Sequence, residues 1–152
     1  MAVLTQAVLT AVLTLIGGCL LFLFSQFIAE GIIKPYIEYR KVLADISYTL
    51  IYHANIIVTA PAGSKREEHA EISERLRQLS ARLRSAITAL PFHELMRLFQ
   101  LVPLQERIHE AAARLIRISN LLLETEQKRH DEIRQDMASI GALLRIDVAK
   151  EK

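Results

Sequence analysis

Histidine, cysteine and arginine are the side chains here whose chemistry goes beyond packing: five His, one Cys and 13 Arg in 152 residues. Glu106 and His109 form an E-x-x-H pair, a helical spacing that places a carboxylate and an imidazole on one face. Carboxylate di-metal bundles need two such motifs and two further glutamates. One copy is present, and Ile108 rather than His109 continues the apolar pattern, so the pair reads as a solvated flank. His69 stands among Glu67, Glu68 and Glu71 and reads as part of a polar first helical turn. His93 follows Pro91 and reads as a cap or a solvent-facing group. His53 differs, because it falls between Leu50 and Ile57 on an apolar stripe. It is either a core histidine, satisfied near Asn55 or by a neighbouring helix, or a pH-sensitive or ligand-binding group beside Tyr52 and Asn55.

Arg75, Arg77, Arg82 and Arg84 crowd one segment, and no acid occurs between Arg75 and His93. Guanidinium groups suit phosphates, acidic lipids or an acidic partner. The plainer reading is a solvated face paired to glutamates of neighbouring helices. A net charge of only +2, with no aromatics interleaving the basic residues, argues against nucleic acid. Cys19 lies inside an apolar run and is a poor nucleophile there. A single Cys excludes thiolate metal sites, and the five glycines form no phosphate-cradling loop. No catalytic residue, metal or cofactor is expected.

The elements that must position these groups divide sharply. Ala2 to Ala29 holds no charged side chain, whereas residues 34–152 hold 35 of the 36 charges. The mean hydropathy of +0.22 therefore averages an apolar end and an ordinary polar one. Half the chain is apolar, which excludes global disorder. A helix rising about 1.5 Å per residue crosses the roughly 30 Å bilayer core in about 20 residues. The uncharged run is long enough, with a span expected near Leu4–Phe24. Thr5, Thr10 and Thr14 are tolerable there, because their hydroxyls bond back to the helix backbone. A cleaved signal peptide would carry a basic start and a shorter apolar stretch. Ile16-Gly17-Gly18-Cys19 resembles a lipoprotein signal, but Leu20 to Phe24 continue the apolar run where a polar tether would follow. Lys34, Arg40 and Lys41 then place the following part in the cytoplasm by the positive-inside rule, with Tyr36 and Tyr39 at the interface. The expectation is a bacterial inner membrane protein with its N-terminal side outside. Ala7, Ala11, Thr14 and Gly18 share a stripe that would let two such helices approach closely.

Residues 1–33 thus read as a transmembrane anchor and 34–152 as a cytoplasmic helical bundle. Tyr36, Tyr39, Leu43, Ile46, Leu50, His53 and Ile57 repeat at spacings of three and four, predicting a helix over 35–58 widened by Ile37, Ile51 and Ile56. Pro35 either kinks it or begins it. A loop follows at Thr59–Ser64, and Ser64 with Glu67 forms a capping box. Ile72, Leu76, Leu79, Leu83, Ile87 and Leu90 predict a helix over 65–90, stopped by Pro91. A short helix fits 92–99. Leu104, Ile108, Ala111, Leu115, Ile118 and Leu122 form another stripe, and Ile133, Met137, Ile140 and Leu144 the last. A turn near 124–129 is expected between them, although the charged stretch lacks Gly and Pro, and one helix over 104–146 is the alternative. No period-two stretch appears. The fold class is all-α: an anchor feeding an antiparallel bundle of four longer helices and a short one.

The chain resembles uncharacterised small bacterial proteins with an N-terminal membrane helix and a helical remainder. KPYIEYRKVLADISYTLIYHAN (34–55) and LIRISNLL (115–122) carry the resemblance. It implies this architecture and no activity.

Two function classes remain. One is a membrane-anchored interaction module: a scaffold, adaptor or accessory subunit, partnered by the bilayer and by other proteins or a second copy. The other is a ligand sensor or small enzyme with a polar pocket around Tyr52, His53 and Asn55. A closed apolar core favours the first and a buried polar pocket the second. A membrane-perturbing small protein fits poorly with so large an ordered portion.

Overall fold

The computed structural model describes residues 2–58, 66–123 and 129–148. Among the described residues seven α-helices follow one another: α1 (Ala2–Ile28), α2 (Lys34–Tyr52), α3 (Ala54–Val58), α4 (Arg66–Thr88), α5 (His93–Leu98), α6 (Gln105–Leu121) and α7 (Arg129–Leu144). Among the described residues there is no strand. The fold is all-α, with an apolar N-terminal helix leading into a bundle.

α1 is long and apolar enough to cross a membrane, and none of its most apolar stretch is buried. The Thr10 and Thr14 hydroxyls donate to the carbonyls of Gln6 and Thr10, at 2.9 and 2.8 Å. That removes the cost of carrying them in an apolar helix. α1 does not end before α2 begins. A π-turn, Ala29–Ile33, joins them, and the Lys34 N–H bonds the Ala29 carbonyl five residues back. Pro35 lies immediately beyond, in the first turn of α2. A proline inside a helix lacks its N–H and collides with the carbonyl four residues earlier. The wider π-turn relieves that collision, so the helix passes Pro35 without stopping.

The bundle proper is α2, α4, α6 and α7, each antiparallel to its neighbour in contact. Arg82 pairs with Asp45 at 2.8 Å, tying α4 to α2. Ser80 and Ser73 donate to the carbonyls of Ala112 and Ser119, both at 2.8 Å, tying α4 to α6. Arg114 and Arg117 reach Asp136 and Glu132 on α7, both at 2.8 Å. Small side chains at Ser73, Ser80, Ala111 and Ala112 bring α4 and α6 close, and each buried serine is satisfied by a carbonyl. Around this seam Leu43, Ile46, Leu50, Leu76, Leu79, Leu83, Ile108, Leu115, Ile118, Ile133 and Ile140 form one apolar core.

The stripes read from the sequence pack inward, with three corrections. Ile37 and Ile51 do not widen the α2 face; they are exposed, and Val42 and Thr49 are buried instead. Leu104 is also exposed, because it precedes α6 rather than belonging to it. Of the two readings of 104–146 the first holds: the described residues there form two helices, α6 and α7, whose antiparallel return buries both stripes. His69 is buried, not part of a polar turn. It lies three and seven residues before Ile72 and Leu76, on the face that turns inward. The loop at 59–64 and the Ser64 cap lie outside the described residues, as does most of the turn near 124–129.

α7 closes with Arg145 in the left-handed region (φ 56°) and an Ile146 N–H bond to the Gly141 carbonyl at 3.1 Å, a Schellman ending. Val148 folds back so closely that a Cβ at Gly141 would lie 2.9 Å from its Cγ2. Glycine is required there by that approach.

Candidate functional site

His53 sits where α2 gives way to α3. Its backbone leaves helical geometry (φ −95°, ψ 10°), while its carbonyl still accepts from Ile57 at 2.8 Å. The side chain is half-buried, not in the core as the stripe suggested. The local irregularity rotates it off the line joining Leu50 to Ile57. Its Nδ1 is buried without a hydrogen-bond partner. The Tyr52 ring meets His53 edge-on at 4.8 Å, and Tyr48 stacks on Tyr52 at 5.3 Å. The spacing of four residues puts both tyrosines on one side of α2.

This aromatic shelf forms one wall of a groove of about 840 Å³. The other wall is the first half of α4, contributing Glu68, Glu71, Glu74, Arg75 and Gln78, and Asn55 lies at the α3 end. Three carboxylates face one guanidinium, so the groove carries a negative balance beside two ring faces. That chemistry suits a cation: carboxylates supply charge and the tyrosine faces a complementary quadrupole. The groove is open and lies on the bundle surface.

The four arginines do not converge. Arg75 lines the groove. Arg77 donates to Asn120 Oδ1 at 3.0 Å and Ser119 Oγ at 3.3 Å on α6. Arg82 pairs with Asp45 on α2, and Arg84 is exposed. Helical geometry turns successive residues by about 100°, so the cluster in sequence is a fan in space. His93 is largely buried, its Nε2 3.3 Å from the Pro103 carbonyl, and bridges the two ends of the α4–α6 connection. His109 lies 3.4 Å from Gln105 on an exposed face. Among the described residues no three His, Cys, Asp or Glu side chains could hold a metal ion.

A buried carboxylate was missed in the sequence. Asp136 has a side chain 2% exposed, with Oδ1 2.8 Å from Arg114 Nη1 and Oδ2 3.4 Å from Arg117 Nε. Its signal was its position, three residues after Ile133 and four before Ile140. Arg114 also binds Glu110 at 2.7 Å. That hydrogen bond and the one to Asp136 hold its guanidinium above its ordinary range, against partial burial. Tyr39 follows its stripe rather than lying at the interface: it is fully buried in the core, with no partner for its hydroxyl. Burial pushes its phenol up to about 12, although the charge of Arg40 works the other way.

Comparison with protein-family models, curated proteins and solved structures yields no match.

Proposed function

We propose that this protein is a membrane-anchored interaction module, a scaffold, adaptor or accessory subunit that holds a helical bundle at the cytoplasmic face of a bacterial inner membrane. One observation carries the reading: an unburied apolar helix continues without a break into the first helix of a closed apolar bundle. Such a joint fixes the bundle's distance and orientation relative to the bilayer. Lys34, Arg40 and Lys41 support the sidedness. A reporter active only outside the cytoplasm, fused after Lys152, should be silent, and one active in the cytoplasm should work. The opposite pattern would reverse the localisation. Proteins co-purified from detergent-solubilised membranes would then identify the partner.

Self-association is part of this proposal. Ala7, Ala11, Thr14 and Gly18 line a shallow concave face of α1 with Phe22. The π-turn inserts one residue and so turns the next helix by about 100°. Ile33, Ile37, Ala44, Tyr48 and Ile51, all exposed, thereby come into phase with the small-residue face. A second copy laid along this line would cover both. Replacing Ala11 and Gly18 with isoleucine should turn dimers in mild detergent into monomers; an unchanged mass would reject this contact.

A second reading, a ligand sensor or small enzyme, is favoured by the groove at Tyr52, His53 and Asn55. It would bind a cation of guanidinium or quaternary ammonium type. A titration with such compounds that leaves the Tyr48 and Tyr52 ring signals unmoved rejects it.

A further inference from the structure

We infer that the α4–α6 connection, residues 89–104, is a second membrane contact: an apolar wedge that enters the lipid headgroup layer beside the emerging anchor. The inference rests on the anchoring proposed above. Its basis is where the fold carries this segment. Asp45, the partner of Arg82, lies about 16 Å along α2 from Lys34, and α4 runs back about 9 Å from Arg82 to Thr88. The end of α4 is therefore within about 7 Å of the level of Lys34, and the chain has still to form α5. α6 departs from this same end, since Ser80 on α4 lies against Ala112 on α6. Ile32 in the π-turn and Tyr36 at the start of α2 already pack against the core.

The connection is built to display apolar side chains rather than to hide them. Leu90, Met96 and Val102 anchor it in the core. Leu98 is 76% exposed and Phe99 67%, with Phe92 and Leu101 also exposed. The shape is held by its own bonds. Phe92 and Gln100 take left-handed backbone (φ 53° and 58°). The N–H groups of Gln100 and Leu101 close α5 on the carbonyls of Arg97 and Met96, at 2.8 and 3.0 Å, another Schellman ending. A bulky residue such as Phe92 seldom occupies that region. Adjoining exposed large apolar side chains on a water-facing loop are unfavourable, whereas an interfacial position buries them. The headgroup layers add roughly 5–7 Å on each side of the hydrocarbon; the uncharged run ends at Ala29, about 7 Å along the helix before Lys34, so this layer extends to about the level of Lys34, toward which the end of α4 runs. Arg97 on α5 itself, and Lys34 with Arg40 and Lys41 about 9–10 Å farther along α2, suit anionic headgroups.

The chain contains no tryptophan, so one introduced at Phe99 reports alone. The full chain carrying Phe99→Trp, reconstituted in vesicles containing anionic lipid, should emit at shorter wavelength than in water. It should lose most of its intensity when the acyl chains are brominated. Leu98→Trp should behave alike, and Tyr52→Trp, at the far end of α2, should be quenched by aqueous iodide instead. Iodide quenching of both wedge variants, with helical content intact, overturns the inference. So does a blue-shifted emission indifferent to brominated lipid, which would mean that the chain itself or a second copy covers the wedge. Phe22→Trp separates the two readings. Its quenching by brominated lipid while Phe99→Trp escapes overturns the wedge alone, and its own escape overturns the anchor and the wedge with it.

Discussion

Truncating Arg114 to alanine is expected to destabilise the bundle by about 3–5 kcal/mol, the cost of leaving one member of a buried ion pair uncompensated. Asp136 has almost no access to water, and Arg114 supplies its hydrogen bond; Arg117 touches the second oxygen at 3.4 Å only. The reverse truncation, Asp136→Ala, should cost less. Arg114 is 28% exposed and Arg117 54%, and both keep acidic partners in Glu110 and Glu132. The Arg114→Leu, Asp136→Leu double variant should recover much of the loss, because packed apolar groups replace buried pairs at little net cost. Denaturant unfolding of the full chain in mild detergent, followed by helical ellipticity, tests the order. On the proposed anchoring α1 stays helical within the micelle and adds a constant baseline. Losses of no more than about 1 kcal/mol from either truncation would show that the pair acts as an exposed one.

Leu115→Ala should cost about 2–5 kcal/mol, and Leu79→Ala a similar amount. Both side chains are essentially inaccessible and lie in the seam between α4 and α6, against helices held close by buried serines. Neighbours fixed by Ser80 and Ser73 cannot collapse freely into the space, which places the cost in the upper part of that range. Leu98→Ala on α5 provides the contrast, since it is exposed and should change detergent stability by no more than about 0.5 kcal/mol. A Leu115 variant as stable as the parent would mean that the seam is not the centre of the fold.

The helices and their inward faces were legible from spacing alone. Three-and-four repeats at Leu76, Leu79 and Leu83 or at Leu115, Ile118 and Leu122 leave one geometry that buries them, and the uncharged run before Glu30 leaves one element long enough to span a bilayer. Four arginines within one segment looked like a site, yet a helix turns them apart, and Arg77 and Arg82 find partners on different neighbours. Those pairings depend on residues from Asp45 to Asn120, far apart along the chain, so no local pattern announces them. His53 and His69 exchanged their expected surroundings for the same reason. A periodicity assumes an unbroken helix with known partners, whereas the irregular turn at His53 and the packing against α4 decided which imidazole meets solvent. The groove beneath Tyr48 and Tyr52, the burial of Asp136 and the display of Phe99 at the foot of the bundle are likewise products of how helices lie against one another. Sequence by itself determined the all-α class, the apolar helix and the core stripes, because burial of apolar side chains is read residue by residue along one helix. Tertiary structure alone decided which polar groups share a surface, because that requires the antiparallel registers of α2 with α4, α4 with α6 and α6 with α7.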